Sequence, residues 1–488
     1  MQLETILQGI AGERLNYSSR PITQITFDSR SVGKGSLFVA QVGVHTDGHN
    51  YIDKAVAAGA SAVVCEHLPE NTVPQVCYIV VNDSDEALGI AASNFYNNPS
   101  HKLALVGITG TNGKTTTVTL LHEMFRLAGH KTGLLSTIVN KIDDKEVATT
   151  HTTPDAVEIN RLLAEMVNEG CTHCFMEVSS HAIIQKRIAG LHFTGAIFSN
   201  ITHDHLDFHK TMAAYIAAKK AFFDALPSTA WALTNRDDRN GMVMVQNTKA
   251  HTYTYSLHTA ADFNCKVVES TFAGTLLTLN GKEVWTRLVG QFNAYNSTAI
   301  YAAARLCGTS ETEALRLLSA LHPAPGRFQH VDRQGITAIV DYAHTPDALE
   351  NVLRTINEVQ QSHQRLIVVV GCGGDRDPLK RPIMAHIAAQ HSDRVILTSD
   401  NPRTEDPEVI LDNMETGLSN EEKFKTLRIT DRRQAIKSAC MMAHKDDIIL
   451  VAGKGHETYQ EVNGVRHHFD DVEELNTQLE SINNNLEQ

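Results

Sequence analysis

The most regular apolar pattern in the chain is a run at residues 103–108 that leads straight into Gly110, Gly113, Lys114 and Thr115. Behind it, Leu120, Leu121, Met124, Phe125 and Leu127 recur at helical spacing. The pattern predicts a strand, a glycine-rich turn and a helix over 116–128. Further apolar runs at 174–178 and 196–199 read as buried strands. Helical periodicity at 156–168 and 212–226 places helices between and after them. That alternation predicts a parallel sheet covered by helices on both faces. The first hundred residues hold shorter apolar runs at 36–42, 60–65 and 77–81 and end in the polar stretch 97–101. A second break falls at the Pro- and Gly-rich stretch 322–326. Beyond it, strands at 336–340, 366–370, 395–398 and 448–451 alternate with helical segments. Loops at 371–376, 400–403 and 453–457 then lie at carboxyl ends of strands, where open α/β sheets bind ligands. The reading is an α/β protein of three domains: 1–100, 101–325 with a mostly parallel sheet, and 326–488, a doubly wound domain.

Composition narrows the class of function. The 488 residues are 42% hydrophobic and 20% charged, as in ordinary globular proteins. A formal charge of −13, from 43 basic and 56 acidic residues, argues against general affinity for nucleic acid. No window reaches the ~18 apolar residues of a membrane span. The first residues lack the basic-then-apolar order of a signal peptide, so no membrane partner and a cytoplasmic location are expected. Eight scattered cysteines fit reduced thiols; Cys171 and Cys174 form a lone C-x-x-C, and Cys174 reads as a buried strand residue rather than a metal ligand.

The turn after the first strand carries the chemistry. Glycines let backbone N–H groups close around phosphate oxygens, and the helix N-terminus adds a positive dipole end. Lys114 would reach the β- and γ-phosphates of a nucleoside triphosphate, and the Thr115 hydroxyl would hold Mg2+. Ile108 stands where the strict form of the motif has its first glycine. Glu177 sits in an apolar strand, and a buried acid calls for a partner or a metal. With His205 it could make a second Mg2+ site; the alternative is a solvated strand end. Lys219 lies within the stripe formed by Tyr215, Ile216, Phe222 and Phe223. It either snorkels to solvent or is a desolvated, modifiable amine. Asn293 and Asn296 share a helix face and could cap its first turn, and Arg327 could be a phosphate clamp.

Together, 109–116, 177–181, 204–207, Asn293 with Asn296, Gly326-Arg327 and 341–344 resemble the Mur ligase family along essentially the whole chain. The resemblance implies amide-bond formation at the expense of ATP, with a UDP-sugar domain, a central ATPase and a C-terminal Rossmann-like domain. Gly110, Thr111, Asn112, Gly113, Lys114, Thr115, Thr116, Asn293 and Asn296 would bind ATP. Phe27, Ser29, Val44, His45, Thr46, Thr152, Thr153, Ser179, Gln185 and Arg187 match positions that hold a UDP-muramoyl peptide. His151 departs from the asparagine that relatives often carry. Lys219 matches a lysine carried as a carbamate (N6-carboxylysine), which with Thr115, Glu177 and His205 implies two Mg2+ ions. Arg376, Asp400, Asn401, Pro402, Arg403, Gly453 and Glu457 are similar to the motif that selects meso-diaminopimelate; Arg403 would take the distal carboxylate and Glu457 the distal ammonium. The partners implied are UDP-N-acetylmuramoyl-L-alanyl-D-glutamate and meso-diaminopimelate, acted on by a monomer. Catalysis would fall to Lys114, Lys219, His205 and Arg327, with Asp341 or His344 receiving the incoming amine. Rival readings are a lysine-adding relative, a folylpolyglutamate synthase, a switch ATPase and a non-catalytic scaffold. Arg403 and the long segment before the phosphate loop count against the first two.

Overall fold

A computed structural model describes all residues except 44, 45, 150, 151, 203–205, 487 and 488. Its strands fall into three large sheets and one hairpin. The first sheet runs Glu13–Leu15, Cys77–Val80, Ala60–Cys65, Ser36–Val39, Gln24–Thr26, parallel except for the edge strand Glu13–Leu15.

The second sheet has eleven strands, with Ala104–Thr109 at its centre between His173–Glu177 and Gly195–Phe198, all parallel. This register brings Ile108 level with Glu177 on one side and Ile197 on the other. The loop after the central strand is therefore flanked by the ends of both neighbours. Val106 and Ile108 pack on one face with Leu121 and Phe125 of the helix Lys114–Leu127 and with Ile300 of Gln291–Leu306. Leu105 packs on the other with Leu162 of Ala156–Asn168 and Phe222 and Phe223 of Met212–Asp224. The two-residue period of the strand thus divides its side chains between two cores. Asp155 caps the helix Ala156–Asn168, accepting from the N–H groups of Val157 and Glu158.

The third sheet runs Gln329–Arg333, Ile336–Asp341, Ile448–Ala452, Leu366–Val370, Arg394–Leu397, Thr426–Arg428. It is parallel apart from its first strand. Two sequence readings change. The helix expected at 116 begins at Lys114, because Gly113 already serves as its cap. The antiparallel strands Phe263–Thr271, Gly274–Leu279 and Lys282–Thr286 extend the central sheet beyond anything the apolar pattern showed. Phe263–Thr271 is largely exposed, so its sequence lacks an alternating signal. Cys174 is buried within its strand, and burial pushes its thiol up; all eight cysteines are free.

Candidate active site

The phosphate loop is shaped by two glycines. A Cβ on Gly110 would lie 1.9 Å from Ser199 Oγ, and Gly113, at φ +86°, would set one 2.5 Å from Asn296 Oδ1. Side chains are excluded there by contact as well as by backbone conformation. Lys114 folds back over the loop, its Nζ donating to the carbonyls of Gly110 (2.9 Å) and Thr111 (2.8 Å). The loop is also tied to its neighbours. Asn112 N–H donates to Asn200 Oδ1 at 2.9 Å, and Asn112 Nδ2 reaches Asp347 Oδ2 at 2.6 Å, on the first turn of the helix Pro346–Val359.

A cleft of about 880 Å3 opens over this loop. Lys114, Glu177, Lys219, Arg327, Asp341 and His344 all line it. Glu177 is 1% exposed; its Oε1 accepts from Thr137 N–H at 2.7 Å, while Oε2 has no hydrogen-bond partner among the described residues. Lys219 is likewise 1% exposed, which overturns the snorkelling alternative. Its Nζ donates to Gly110 O at 2.8 Å and lies 4.6 Å from the Tyr215 ring centroid. An amine and a carboxylate oxygen are thus both held out of water beside the phosphate loop. Among the described residues no group of three or more His, Cys, Asp or Glu is arranged to hold a metal ion. His205, the remaining expected ligand, lies outside the described residues. The donors present nevertheless fit a hard divalent cation: a hydroxyl, an unpartnered carboxylate oxygen, and a lysine that would become an oxygen ligand only as a carbamate.

The C-terminal sheet supplies the opposite wall. Arg327 Nη2 donates to Thr115 Oγ1 at 3.2 Å, and its guanidinium lies 4.7 Å from the Tyr342 ring. Asp341, at the end of its strand, accepts from Phe328 N–H at 2.7 Å. Burial pushes its carboxyl up to about 6, against the opposing pull of Arg327 and of backbone N–H groups. His344 is exposed to the cleft and pairs through Nδ1 with Tyr342 O at 2.8 Å.

At the far end of the cleft, Asp237 is a polar hub that the sequence did not reveal. Burial raises its pKa, but hydrogen bonds from Ser256, Leu257 N–H, Tyr295 and Thr259 outweigh that and bring it to about 2. Its partners come from separate segments, so spacing gave no signal. Asn293 and Asn296 do not cap their helix. Gly290 is the cap residue; Asn293 Nδ2 donates back to Val289 O, and Asn296 Nδ2 donates to Asn293 Oδ1. Asn296 lines the cleft beside Gly113.

Of the residues expected to hold a muramoyl peptide, Thr152 and Ser179 line this cleft. Ser179 caps the helix Ser180–Ile184. Thr153 is buried and donates to Glu177 O, while Arg187 donates to Thr153 O and Gln185 Oε1. Phe27 lies elsewhere, in a 260 Å3 cavity between the first sheet and the helix Ala156–Asn168 that Thr26, Asp155 and Glu158 also line. Ser29 is half-buried and Thr46 exposed; Val44 and His45 lie outside the described residues.

Among the residues expected to choose the amino acid, Arg376 lines the large cleft. The others gather at the ends of Arg394–Leu397 and Ile448–Ala452. A Cβ on Gly453 would lie 2.7 Å from Asp400 Oδ2, and Asn401 Nδ2 donates to Glu457 Oε2 at 2.7 Å. Pro402 is buried, and Arg403 Nη1 donates to Gly374 O at 2.6 Å. Glu457, expected to meet an incoming ammonium, is paired in this structure with Lys454 of the chain itself, at 3.2 Å.

A phosphate loop at the carboxyl edge of a parallel sheet, walled by an arginine from a second α/β unit, defines a nucleotide-dependent enzyme of the phosphate-loop class. Family models narrow that class. The Mur ligase family, catalytic domain, matches residues 21–96; the Mur ligase middle domain matches 108–304; and the Mur ligase, glutamate ligase domain, matches 326–455. The chain is 59% identical over 452 residues to the UDP-N-acetylmuramoyl-L-alanyl-D-glutamate–2,6-diaminopimelate ligase of Cytophaga hutchinsonii, covering 92% of this chain and 93% of that protein. It is 54% identical over 477 residues to the ligase of the same name from Phocaeicola vulgatus, covering 97% and 99%. A solved structure of a ligase of that name aligns with a TM-score of 0.69 at 34% identity, covering 95% of this chain and 96% of the other. The chain belongs to the Mur ligase family.

Proposed function

We propose that this enzyme uses ATP to join the γ-carboxylate of UDP-N-acetylmuramoyl-L-alanyl-D-glutamate to an amine of meso-2,6-diaminopimelate, a step in peptidoglycan precursor synthesis. We assign 1–100 to the UDP-sugar, 101–325 to ATP and 326–488 to the incoming amino acid, in a cytoplasmic monomer. Among the described residues no helix is long and apolar enough to cross a membrane. One observation carries the reading. A buried carboxylate oxygen of Glu177 and the buried amine of Lys219 share a cleft with a phosphate loop. A switch that only binds nucleotide has no use for that pair, whereas a site that gathers charge around a transferring phosphoryl group does.

The substrate carboxylate attacks the γ-phosphorus, ADP departs, and an acyl phosphate forms. Lys114 and Arg327 line the cleft and would offset the negative charge that develops. Thr115, Glu177, His205 and a carbamate on Lys219 are the groups that would hold two Mg2+ ions, which when bound add charge neutralisation that the protein alone lacks. The diaminopimelate amine then attacks the acyl carbon, phosphate leaves, and the amine proton passes to a base. Asp341 is committed to Phe328 N–H and faces Arg327, so its role is to orient that arginine. His344, exposed in the cleft, is the better-placed acceptor for the amine proton. Arg376, Asp400, Asn401, Pro402, Arg403, Gly453 and Glu457 hold the amino acid, with guanidinium donors for its distal carboxylate. Mass spectrometry of the product tests the reaction. A UDP-muramoyl-tripeptide should form only when ATP, the UDP-muramoyl-dipeptide and the amino acid are all present. Glutamate addition to a folate, or ATP hydrolysis with no amide product, would overturn the reading.

A further inference from the structure

Lys454 has no part in the scheme above, yet it is buried in the middle of the amino-acid motif. It is 0% exposed. Its Nζ lies 3.0 Å from Asn401 Oδ1, 3.2 Å from Glu457 Oε2 and 3.5 Å from Asp400 Oδ1, with the Tyr459 ring at 5.5 Å. Asn401 in turn donates to Glu457 Oε2 and accepts from Glu461 N–H. One ammonium thus links the loop after Arg394–Leu397 to the loop after Ile448–Ala452. A second fully buried cation among the described residues, Arg432, is paired directly with Asp471 at 2.7 Å with both side chains 0% exposed, and acts on Asp400 and Glu457 only from farther away. Asp400 Oδ1 has no hydrogen-bond partner among the described residues, and the Lys454 ammonium is in direct contact with both Asp400 and Glu457.

We propose that Lys454 is a positioning and specificity-determining residue for the incoming amino acid. Its buried ammonium fixes the two loops and offsets the charge of Asp400 and Glu457. The site then accepts the zwitterionic distal end of a diamino diacid in preference to a bare alkylammonium. This inference rests on the proposed function for the identity of the amino acid. The physics is electrostatic: two carboxylates without a resident cation repel an incoming carboxylate and attract a lone ammonium.

The test compares wild type with Lys454→Met, which keeps the stem and removes the charge. KM for meso-diaminopimelate should rise about 10- to 100-fold, as when a residue supporting a charged ligand contact is lost. KM for ATP and for the nucleotide sugar should stay within about twofold, and the kcat/KM ratio of diaminopimelate to L-lysine should fall. Adding Asp400→Asn should move that ratio back toward wild type, which a purely structural tie would not do. Should Lys454→Met fail to fold, Lys454→Gln carries the same comparison. An unchanged ratio, or equal changes in KM for all substrates, would overturn the proposal. A wild type that never uses diaminopimelate would instead overturn the proposed function, and Lys454 would then be read against whichever amino acid it does use.

Discussion

Replacing Lys219 with methionine should separate folding from catalysis. Lysine and methionine are close in length and flexibility, and a swap that conserves volume in a packed site costs less than about 1.5 kcal/mol. The lost hydrogen bond from Nζ to Gly110 O, at 2.8 Å, is worth roughly 1.5–3 kcal/mol as a charged bond. Gly110 O is not orphaned, because Lys114 Nζ also donates to it at 2.9 Å. The cation–π contact with Tyr215 adds about 2 kcal/mol at most. Against these stands the cost of keeping an amine 1% exposed, which methionine removes. The balance should fall within about 2 kcal/mol of wild type, a small part of a typical stability of roughly 5–15 kcal/mol. Activity should instead fall about a thousandfold, equivalent to about 4 kcal/mol of lost transition-state stabilisation. Thermal unfolding and phosphate release on the same preparation check both halves, and added bicarbonate should not restore turnover. Turnover within about tenfold of wild type would show that Lys219 only fills space.

Asp341 should set an acid limb in kcat/KM near pH 6, with activity rising as its carboxylate ionises to face Arg327; Asp341→Asn should flatten that limb. The same shift has a stability sign. The folded-state value is raised from 3.8 to about 6, so the stabilising contribution is complete below pH 3.8 and is lost as pH climbs through 6. Asp341→Asn should therefore gain stability relative to wild type on going from pH 4 to pH 8, by an amount on the order of 3 kcal/mol. Denaturant melts at both pH values check it, and no difference between them would refute the cause given. Gly113→Ala forces a Cβ to within 2.5 Å of Asn296 Oδ1 at φ +86°, and calorimetry should find ATP binding weakened more than about tenfold. In Glu177→Gln the concentration of Mg2+ needed for half-maximal activity should rise about tenfold or more. An unchanged Mg2+ requirement would remove Glu177 from the ion site.

Much of the site was legible because its parts are local. The phosphate loop is one continuous segment, and the stripe of Tyr215, Ile216, Phe222 and Phe223 put Lys219 on a packed face, although the stripe alone fits a snorkelling lysine as well as the buried one the structure shows. The strand Leu366–Val370 stands where its apolar run put it. What escaped the sequence was assembled from afar. Asp237 draws its partners from 256–259 and 295, and Asp347 meets Asn112 across two domains. Neither relation has a spacing to read. Lys454 carries no signal of its own in the sequence, because its burial depends on loops more than fifty residues apart. The asparagines at 293 and 296 were misread for a different reason. Their spacing suits a cap, but Gly290 already ends the loop, so they fall inside the helix.

In the proposed function, a phosphate loop and a separate arginine-bearing motif act on one amide bond, and the motif chooses the amine. The most direct test is phosphate release from ATP with UDP-N-acetylmuramoyl-L-alanyl-D-glutamate, comparing meso-diaminopimelate with L-lysine over a full concentration range. The kcat/KM for diaminopimelate should exceed that for lysine by about a hundredfold or more, since lysine would leave the guanidinium donors of Arg403 and Arg376 without a carboxylate. Equal values for the two amino acids would contradict it.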